Sequence, residues 1–237
     1  MNKNLVVIPT YNEKENIEKM IAKVFSLKPD FDLLIIDDGS PDGTAQIVKD
    51  LQQKNPTKLF LLERQGKQGL GTAYIVGFKW ALEKKYDYIF EMDCDFSHNP
   101  DDLPRLLNAC ETGADVAVGS RYCKGGKVKN WPLGRVLMSY FASVYVRMVL
   151  WINIKDTTAG FKCYKRKVLE TINLDKIKFM GYAFQIEMKY AALQKGFKVV
   201  EVPITFVDRI EGASKMSSGI FKEAFIGVIQ MRFAQRQ

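Results

Sequence analysis

The sequence has little histidine and little cysteine. Only one histidine, His98, occurs in 237 residues, and the four cysteines are scattered without a C-x-x-C pair. Zinc sites and disulfide frameworks depend on closely spaced groups of these two residue types. We therefore expect neither kind of site, and the cysteines are predicted to be free, mostly buried thiols. They are Cys94, Cys110, Cys123 and Cys163.

The chain also lacks linkers, internal repeats and a secretion signal. No Ser/Gly-rich or Pro-rich tract interrupts it, and a hydrophobic content of 47% is enough for one full core. Residues 1–5 lead directly into strand-like sequence, without the basic and apolar regions of a signal peptide. These absences predict a single intracellular domain over residues 1–237.

No uncharged apolar run is long enough to span a bilayer. The longest apolar segment, residues 133–152, is interrupted by Arg135 and Arg147. A second segment, residues 218–233, directs its apolar side chains toward one helical face. We expect two amphipathic helices here, either packed on the core or lying in a membrane surface.

Acidic residues are scarce in one part of the chain. Residues 119–178 contain 13 Lys/Arg and only three Asp/Glu, whereas the whole chain has a formal charge of +8. This local excess of positive charge predicts an anionic partner. No nucleic-acid-binding motif accompanies it, so phosphorylated small molecules or a membrane surface are favoured over nucleic acid.

The first half of the chain alternates between short apolar runs and amphipathic stretches. Strands are predicted at residues 5–8, 33–36, 59–62, 88–92 and 116–118, with helices between them. Runs that are apolar throughout, rather than at every second residue, are typical of a mainly parallel sheet covered on both faces. The predicted fold class is α/β.

The glycines needed for a dinucleotide-binding fingerprint are missing after the first strand. That position reads Pro9-Thr10-Tyr11-Asn12-Glu13, and the later loop at residues 66–71 has the spacing G-x-x-G-x-G. Lys67 also lacks the context of a Walker loop. NAD-dependent and P-loop enzymes are therefore disfavoured. Lys67 and the backbone amides of its loop are candidates to approach phosphates, unless the glycines serve only a tight turn.

Two pairs of carboxylates follow predicted strands. Asp37 and Asp38 end the second strand, where they can accept hydrogen bonds from a base or ribose, or close a turn and cap the next helix. Asp93 and Asp95 end the fourth strand and can converge on one cation, although this spacing also occurs in solvated loops and helix caps. Ligands of open α/β sheets bind beyond such strand ends.

The ordered set of motifs resembles the family-2 inverting glycosyltransferases with a GT-A fold. Its core is Val7-Ile8-Pro9-Thr10-Tyr11-Asn12-Glu13, Asp37-Asp38-Gly39-Ser40 and Asp93-Cys94-Asp95. Within that family the chain is most similar to the dolichyl- or polyprenyl-phosphate mannosyltransferases, the polyprenol-phosphate-mannose synthases. The motifs behind this narrower match are Ser40 to Thr44, Arg64 with Gly66-Lys67 and Gly69-Leu70-Gly71, Phe96-Ser97-His98, Gly119 to Tyr122, Trp131 to Arg135 with Ser139, and Arg209 with Ser214-Lys215.

The resemblance implies a role for each matching residue. The residues expected to hold the nucleotide sugar are Pro9, Tyr11, Glu13 and Asp37, together with Asp38 and Lys67. Those expected to bind Mg²⁺ or Mn²⁺ and the donor diphosphate are Asp93, Asp95 and Ser97, where some relatives carry Gln in place of Ser97. Those expected to hold the acceptor phosphate or the donor diphosphate are Arg121, Arg135, Ser139, Arg209 and Lys215. Asp95, Arg121 and Arg209 are the implied catalytic residues.

The implied reaction is metal-dependent transfer of a hexose, with inversion, from a nucleotide-diphosphate sugar to a polyprenyl or dolichyl monophosphate. Mannose from GDP-mannose is the expected donor. Residues 1–120 would form the nucleotide-binding half, and residues 121–237, with the amphipathic helices, the acceptor-binding half. The enzyme is expected to be peripheral on the cytoplasmic face of the membrane, in the version without C-terminal spans, with any anchoring partner left open.

Two alternatives stay open. One is a family-2 enzyme that uses another nucleotide sugar, such as UDP-glucose, or a sugar hydroxyl as acceptor, for which Glu187 is the candidate base. The other is a non-catalytic, membrane-associated subunit that binds a nucleotide sugar. His98, beside the paired aspartates, is interpreted as a supporting residue rather than a metal ligand.

Overall fold

A seven-stranded sheet forms the centre of the molecule. The computed structural model describes residues 2–208 and 219–234. The strand order is β3-β2-β1-β4-β7-β5-β8, in which β7 runs antiparallel to its neighbours and the other pairs are parallel. The strands are β1 (Asn4–Thr10), β2 (Asp32–Asp37), β3 (Leu59–Glu63), β4 (Tyr88–Glu91), β5 (Val116–Ser120), β7 (Lys162–Lys165) and β8 (Val199–Pro203). A separate parallel pair joins β6 (Lys127–Lys129) to β9 (Thr205–Val207).

Helices cover both faces of the sheet. They are α1 (Ile17–Phe25), α2 (Thr44–Lys54), α3 (Leu70–Glu83), α4 (Leu103–Glu111), α5 (Leu133–Leu150), α6 (Arg166–Thr171), α7 (Tyr182–Gln194) and α8 (Gly219–Ala234). Short 3-10 turns occur at Pro100–Asp102 and Leu174–Lys176. This arrangement confirms the predicted α/β class.

Alternate residues of the same strands enter two different cores. Val6 and Ile8 of β1 pack with α1 and α4, whereas Leu5 and Val7 pack with α3, α6 and α7. All four side chains are fully buried. Because side chains of a strand alternate between faces, burial on both sides requires apolar residues at every position. The unbroken apolar runs in the sequence have this cause.

Some elements differ from the sequence-based expectation. The first of the helices expected between the strands begins only at Ile17, because residues 13–16 form a turn in which Asn16 N–H donates to the Glu13 carbonyl. Strand β7 was not predicted, since lysines stand at both of its ends, and one of them, Lys162, is fully buried. The four cysteines are free thiols, of which Cys123 is half-buried and the other three are buried, as predicted.

Helices α5 and α8 pack on α7 through a third cluster of buried residues. It is formed by Val146, Leu150, Ala183, Ile186, Tyr190, Val228 and Met231. The outer faces of α5 and α8 carry exposed apolar side chains, which together we call the apolar surface. Its members are Leu133, Leu137, Phe141, Met148, Trp151, Phe225, Ile226, Ile229 and Phe233. Trp151 is 82% exposed and Leu133 is 73% exposed. The two helices also touch through the stacked rings of Tyr145 and Phe225, whose centres lie 4.5 Å apart.

Helix α5 has the length and composition of a membrane span. Within residues 2–208 and 219–234 it is the one such helix, with a mean hydropathy of 1.3 over 18 residues and 17% of that window buried. The two arginines that interrupt it in the sequence therefore do not exclude a span by length and composition. Its inner face packs on α7 and α8, as in a helix of a soluble core.

Helix α3 approaches the sheet closely at Gly77. A Cβ atom there would lie 2.5 Å from Cγ1 of Val7 and 2.9 Å from Cδ1 of Ile36. We expect Gly77→Ala to lower the free energy of unfolding by about 1–3 kcal/mol, because helix and sheet must move apart. Gly134→Ala in α5 is the control, since no atom lies within 4 Å of its new Cβ. Urea unfolding should show no loss for this control, and equal behaviour of the two variants would contradict the close approach.

Candidate active site

The carboxyl ends of β1, β2 and β4 open into one cavity of about 880 Å³. Residues of α5 and α8, together with the start of α7, complete much of its wall. The parallel pairing of β2 and β4 with β1 brings these strand ends to the same edge. Most of the predicted site residues that the structure describes line this cavity. They are Pro9, Tyr11, Glu13, Asp38, Lys67, Asp93, Asp95, Ser97, Arg121, Arg135 and Ser139.

Asp37 differs from the other predicted residues, because it is fully buried and does not line the cavity. Its Oδ1 accepts hydrogen bonds from the hydroxyls of Thr10 at 2.9 Å and Ser40 at 2.6 Å. Its Oδ2 accepts one from the Ser40 N–H at 2.8 Å. These bonds close the turn after β2, which is the second of the two roles that its position suggested. Contact of Asp37 with a nucleotide stays a prediction.

The end of the cavity beside β1 and β2 is held by a local ion pair and a glycine turn. Asp38 receives a two-pronged interaction from Arg64, with Nε at 2.7 Å from Oδ1 and Nη2 at 2.8 Å from Oδ2. Lys67 Nζ lies 4.8 Å from the ring centre of Tyr11. The loop that carries Lys67 turns at Gly69, whose φ of +97° is available to few other residues. Lys67 thus lies over the residue that directly follows β1.

The paired aspartates are oriented by a tight turn. Phe96 adopts a left-handed conformation, with φ at +57°. Asp95 Oδ1 accepts hydrogen bonds from Ser97 Oγ at 2.6 Å and Ser97 N–H at 3.1 Å. Ser97 therefore orients Asp95, and its predicted role as a metal ligand stays a prediction. Asp95 is buried, whereas the Asp93 side chain is 39% exposed in the cavity.

His98 packs against this turn from the protein interior. It is buried, and its ring stacks on Phe161 with ring centres 5.0 Å apart. Nδ1 accepts the Asp93 N–H at 3.3 Å and lies 3.7 Å from Asp93 Oδ2. Burial lowers the pKa of His98 to about 4, so the ring is neutral at pH 7. This geometry agrees with a supporting role.

The donor atoms around the turn fit a hard divalent cation that is shared with a diphosphate. The described residues contain no group of three or more His, Cys, Asp or Glu that holds a metal by itself. Asp93 and Asp95 offer two carboxylates beside the cavity. Mg²⁺ and similar ions are commonly held by one or two carboxylates, with substrate phosphates and water as the remaining ligands. The oxygen-only donor set fits this pattern.

Arg121 is fixed by a buried carboxylate that the sequence did not single out. Asp156 accepts hydrogen bonds from Arg121 Nε at 2.7 Å, Nη2 at 2.6 Å and the backbone N–H at 2.8 Å. Burial opposes ionisation of Asp156, but the adjacent guanidinium outweighs it and lowers the pKa of the carboxyl group. Both side chains are buried. Arg121 therefore reaches the cavity as part of a rigid ion pair.

Arg135 is paired in a similar way, with Nη1 3.0 Å from Oδ2 of Asp208. Its guanidinium lies 4.0 Å from the ring centre of Trp131, and that of Arg121 lies 5.4 Å from the same ring. The structure thus brings the two arginines together around Trp131. The other predicted cations, Arg209 and Lys215, lie outside the described residues.

Glu187, the candidate base of the alternative reaction, does not line the cavity. Its Oε2 accepts the backbone N–H groups of Lys178 at 3.0 Å and Phe179 at 3.1 Å. Burial raises the pKa of this carboxyl group. Its carboxylate holds the segment before α7 in place.

Comparison with known proteins assigns the family. The model described as Glycosyl transferase family 2 matches residues 5–172. A polyprenol monophosphomannose synthase from Mycolicibacterium smegmatis is 46% identical over 228 residues, covering 96% of this chain and 86% of that protein. The chain belongs to glycosyl transferase family 2. Both the family and the class of enzyme, a glycosyltransferase, were predicted from the motifs and are confirmed.

Further members of this family agree with the assignment. An undecaprenyl-phosphate mannosyltransferase from Micrococcus luteus is 45% identical over 232 residues, covering 98% of this chain and 95% of that protein. Among solved structures, a mannosyltransferase from Pyrobaculum calidifontis in complex with GDP-Man and Mn²⁺ superposes with a TM-score of 0.60. It is 14% identical, and the match covers 98% of this chain and 70% of that one. At this identity the likeness shows the shared GT-A fold.

The buried Arg121–Asp156 pair gives a stability test. We expect Asp156→Asn to lower the free energy of unfolding by about 3–5 kcal/mol, because a buried guanidinium loses its counter-charge. Asp30→Asn is the matched control, since Asp30 pairs with Lys28 and Lys58 at the exposed surface. Chemical unfolding should separate the two variants clearly. Similar losses would show that Asp156 has no special importance for the fold.

Proposed function

We propose that this protein transfers mannose, with inversion, from GDP-mannose to a polyprenyl or dolichyl monophosphate at a membrane surface. One observation carries the proposal. A single cavity joins the paired aspartates to two fixed guanidinium groups and opens onto apolar side chains of α5 and α8. The names of the relatives from Mycolicibacterium smegmatis and Micrococcus luteus support mannose as the sugar and a polyprenyl phosphate as the acceptor.

The donor would occupy the strand-end side of the cavity. Tyr11, Glu13, Asp38 and Lys67 line that side, and Lys67 suits a phosphate oxygen. Asp93 and Asp95 would hold Mg²⁺ or Mn²⁺ with the donor diphosphate. The ion, when bound, supplies the Lewis-acid stabilisation that a leaving diphosphate requires. The GDP-Man and Mn²⁺ bound to the mannosyltransferase from Pyrobaculum calidifontis support this choice of ligands.

The acceptor side of the cavity favours a phosphate over a sugar hydroxyl. A phosphate monoester has a second pKa of about 6 and is already a dianion at neutral pH, so it needs no general base. A hydroxyl acceptor would need one. The carboxylates among the described lining residues are Glu13, Asp38, Asp93 and Asp95, all on the donor side. The acceptor side instead presents the guanidinium groups of Arg121 and Arg135.

The carboxylate partners of these arginines make the proposed clamp rigid. Asp156 and Asp208 hold the two guanidinium groups in place before a ligand arrives. Arg suits an anion of this kind because its guanidinium group carries five N–H donors, more than one carboxylate partner can use. An arginine side chain that is already held in position loses little conformational entropy when the phosphate binds. Arg209 and Lys215 stay predicted members of this clamp.

The apolar surface is the proposed contact with the membrane. Phe141 and Phe225 belong both to this surface and to the cavity wall. A lipid that remains in the bilayer would therefore meet the cavity at its membrane-facing side. The basic residues of 119–178 would add attraction to anionic headgroups. The proposed side is the cytoplasmic face, whose anionic lipids attract basic residues, and an anchoring partner stays an open question.

Loss of Asp95 tests the catalytic part of the proposal. Purified protein with Mn²⁺, GDP-mannose and a short polyprenyl phosphate should form a mannosyl phospholipid, detected by mass spectrometry. Asp95→Asn should reduce the rate at least about a hundredfold, because the metal and the leaving diphosphate lose a charged ligand. Asp101→Asn, on the exposed turn before α4, should retain the wild-type rate.

Three outcomes would contradict the proposal. Transfer from UDP-glucose in preference to GDP-mannose would show that the proposed sugar donor is wrong. Transfer to a sugar hydroxyl, lost in Glu187→Gln, would favour the alternative acceptor. Binding of GDP-mannose with no transfer to any acceptor would favour a non-catalytic subunit.

The membrane contact has its own test. Leu133→Ser combined with Met148→Ser removes two exposed members of the apolar surface that do not line the cavity. We expect at least about tenfold weaker binding to phosphatidylcholine–phosphatidylglycerol vesicles in co-sedimentation, because each buried apolar side chain contributes about 1.5–3 kcal/mol. Val76→Ser, an exposed position on α3, is the control. Undiminished binding of the double variant would remove the apolar surface from the membrane contact.

A further inference from the structure

A buried side-chain NH₂ group faces the cavity with no hydrogen-bond partner among the described residues. Gln185 lies in the first turn of α7, is 3% exposed and lines the cavity. Its Oε1 accepts a hydrogen bond from Nζ of Lys162. Its Nε2 makes no hydrogen bond within the part of the chain that the structure describes. Buried donors of this kind are normally satisfied, so this amide is suited to a ligand.

The orientation of the amide is fixed from behind. Lys162 is fully buried, and its Nζ lies 3.1 Å from Oε1 of Glu91, which also accepts the hydroxyl of Tyr164 at 2.9 Å. Burial lowers the pKa of Lys162, and the charge of Glu91 opposes this shift. The ammonium group that Glu91 stabilises has only donors, so the oxygen of Gln185 must face it. The NH₂ group is thereby turned away from Lys162.

A glycine keeps the space beside this NH₂ group open. A Cβ atom at Gly160 would lie 3.4 Å from Gln185 Nε2 and 3.8 Å from Cε1 of His98. His98 in turn contacts Asp93, with Nδ1 3.7 Å from Oδ2. The amide therefore lies on the cavity wall one side chain away from the paired aspartates.

This place suits the sugar rather than the charged groups of the substrates. The donor diphosphate is assigned to Asp93, Asp95 and Lys67, and the acceptor phosphate to the two arginines. The hexose must lie between them, since its anomeric carbon is bonded to one phosphate and attacked by the other. A neutral N–H donor matches the lone pair of a hexose hydroxyl.

Resting on the proposed function, we propose that Gln185 is a specificity-determining residue whose Nε2 donates a hydrogen bond to a hydroxyl of the transferred hexose. Lys162 is the positioning residue that holds the amide in this orientation, and Glu91 holds Lys162. Gly160 leaves room for the hydroxyl. The class of ligand is thus the hexose part of a nucleotide-diphosphate sugar.

Binding measurements separate this contact from all others. Gln185→Met removes the N–H donor and keeps a similar volume, and Gln194→Met on the exposed end of α7 is the matched control. With Mn²⁺ present, calorimetry should show GDP bound equally by wild type and both variants. GDP-mannose should bind about two- to thirteenfold more weakly to Gln185→Met alone, which is the usual contribution of one neutral hydrogen bond.

Deoxy analogues of GDP-mannose identify the hydroxyl. One of these analogues should bind the wild type more weakly than GDP-mannose does, by the same factor. It should bind Gln185→Met as tightly as GDP-mannose does, because that variant already lacks the hydrogen bond. Unchanged GDP-mannose binding by Gln185→Met would overturn the proposal. Equal losses for GDP and GDP-mannose would assign the amide to the diphosphate, and a higher KM for polyprenyl phosphate alone would assign it to the acceptor.

Two further variants keep the test independent of folding. Gly160→Ala leaves Gln185 in place and fills the space beside Nε2. This variant should therefore also bind GDP-mannose more weakly, and its affinity for GDP should be unchanged. Lys162→Met combined with Glu91→Gln removes both charges together, which avoids a single unpaired buried charge. If its thermal unfolding remains cooperative, its ratio of GDP-mannose to GDP affinity should fall as in Gln185→Met. An unchanged ratio would overturn the positioning role of Lys162.

These measurements need no acceptor. A sugar-specific loss without any transfer to polyprenyl phosphate would uphold the Gln185 contact and overturn the proposed acceptor. Transfer to polyprenyl phosphate without a sugar-specific loss of affinity would uphold the proposed acceptor and overturn the Gln185 contact. If the wild type binds UDP-glucose and not GDP-mannose, the same comparison with UDP and UDP-glucose decides the contact.

Discussion

Parallel pairing around β1 is the constraint on which the site depends. Because β2 and β4 both run parallel to β1, their carboxyl ends meet at one edge of the sheet. Asp38 and the pair Asp93 and Asp95 are distant in sequence, and this pairing brings them to the same cavity. The pairing is stable because both faces of the strands are buried, in two cores that alternate residue by residue. The position of these carboxylates in the cavity therefore depends on helices that pack against the sheet away from the cavity.

Three cations in and behind the cavity are held in ion pairs. Arg121 is paired with Asp156, Arg135 with Asp208, and the fully buried Lys162 with Glu91. A pair costs less to bury than an isolated charge, and it fixes the direction in which the remaining hydrogen bonds point. For the proposed binding of a phosphate, the overall positive charge of residues 119–178 therefore matters less than the orientation of a few of these cations. Most of the others lie at the solvent-exposed surface.

The sequence predicted those features that depend on local pattern. Strands β1, β2 and β4 were predicted because burial on both faces leaves an apolar run, and Asp93 and Asp95 because their spacing follows such a run. Strand β7 was missed because Lys162 looks like a surface residue until Glu91 is placed beside it.

Residues whose role depends on a distant partner were missed for the same reason. Asp156 is an ordinary loop aspartate in the sequence, and only the fold sets it against Arg121. Gln185 was not singled out from the sequence, since nothing local shows which way its amide faces. The turn-closing role of Asp37 became visible only through its bonds to Thr10 and Ser40, and its contact with a nucleotide stays a prediction.

The sharing of Phe141 and Phe225 between the apolar surface and the cavity wall has a consequence for lipid length. Drawing a polyprenyl chain out of a bilayer costs about 0.8 kcal/mol for each CH₂ group exposed to water. An enzyme whose cavity opens at the bilayer needs to receive only the headgroup and the first few carbons, and the rest of the chain stays dissolved in lipid. On the proposed membrane contact, selection by chain length would depend on the membrane and on the enzyme that synthesises the polyprenyl phosphate, while this protein would recognise the phosphate and the sugar.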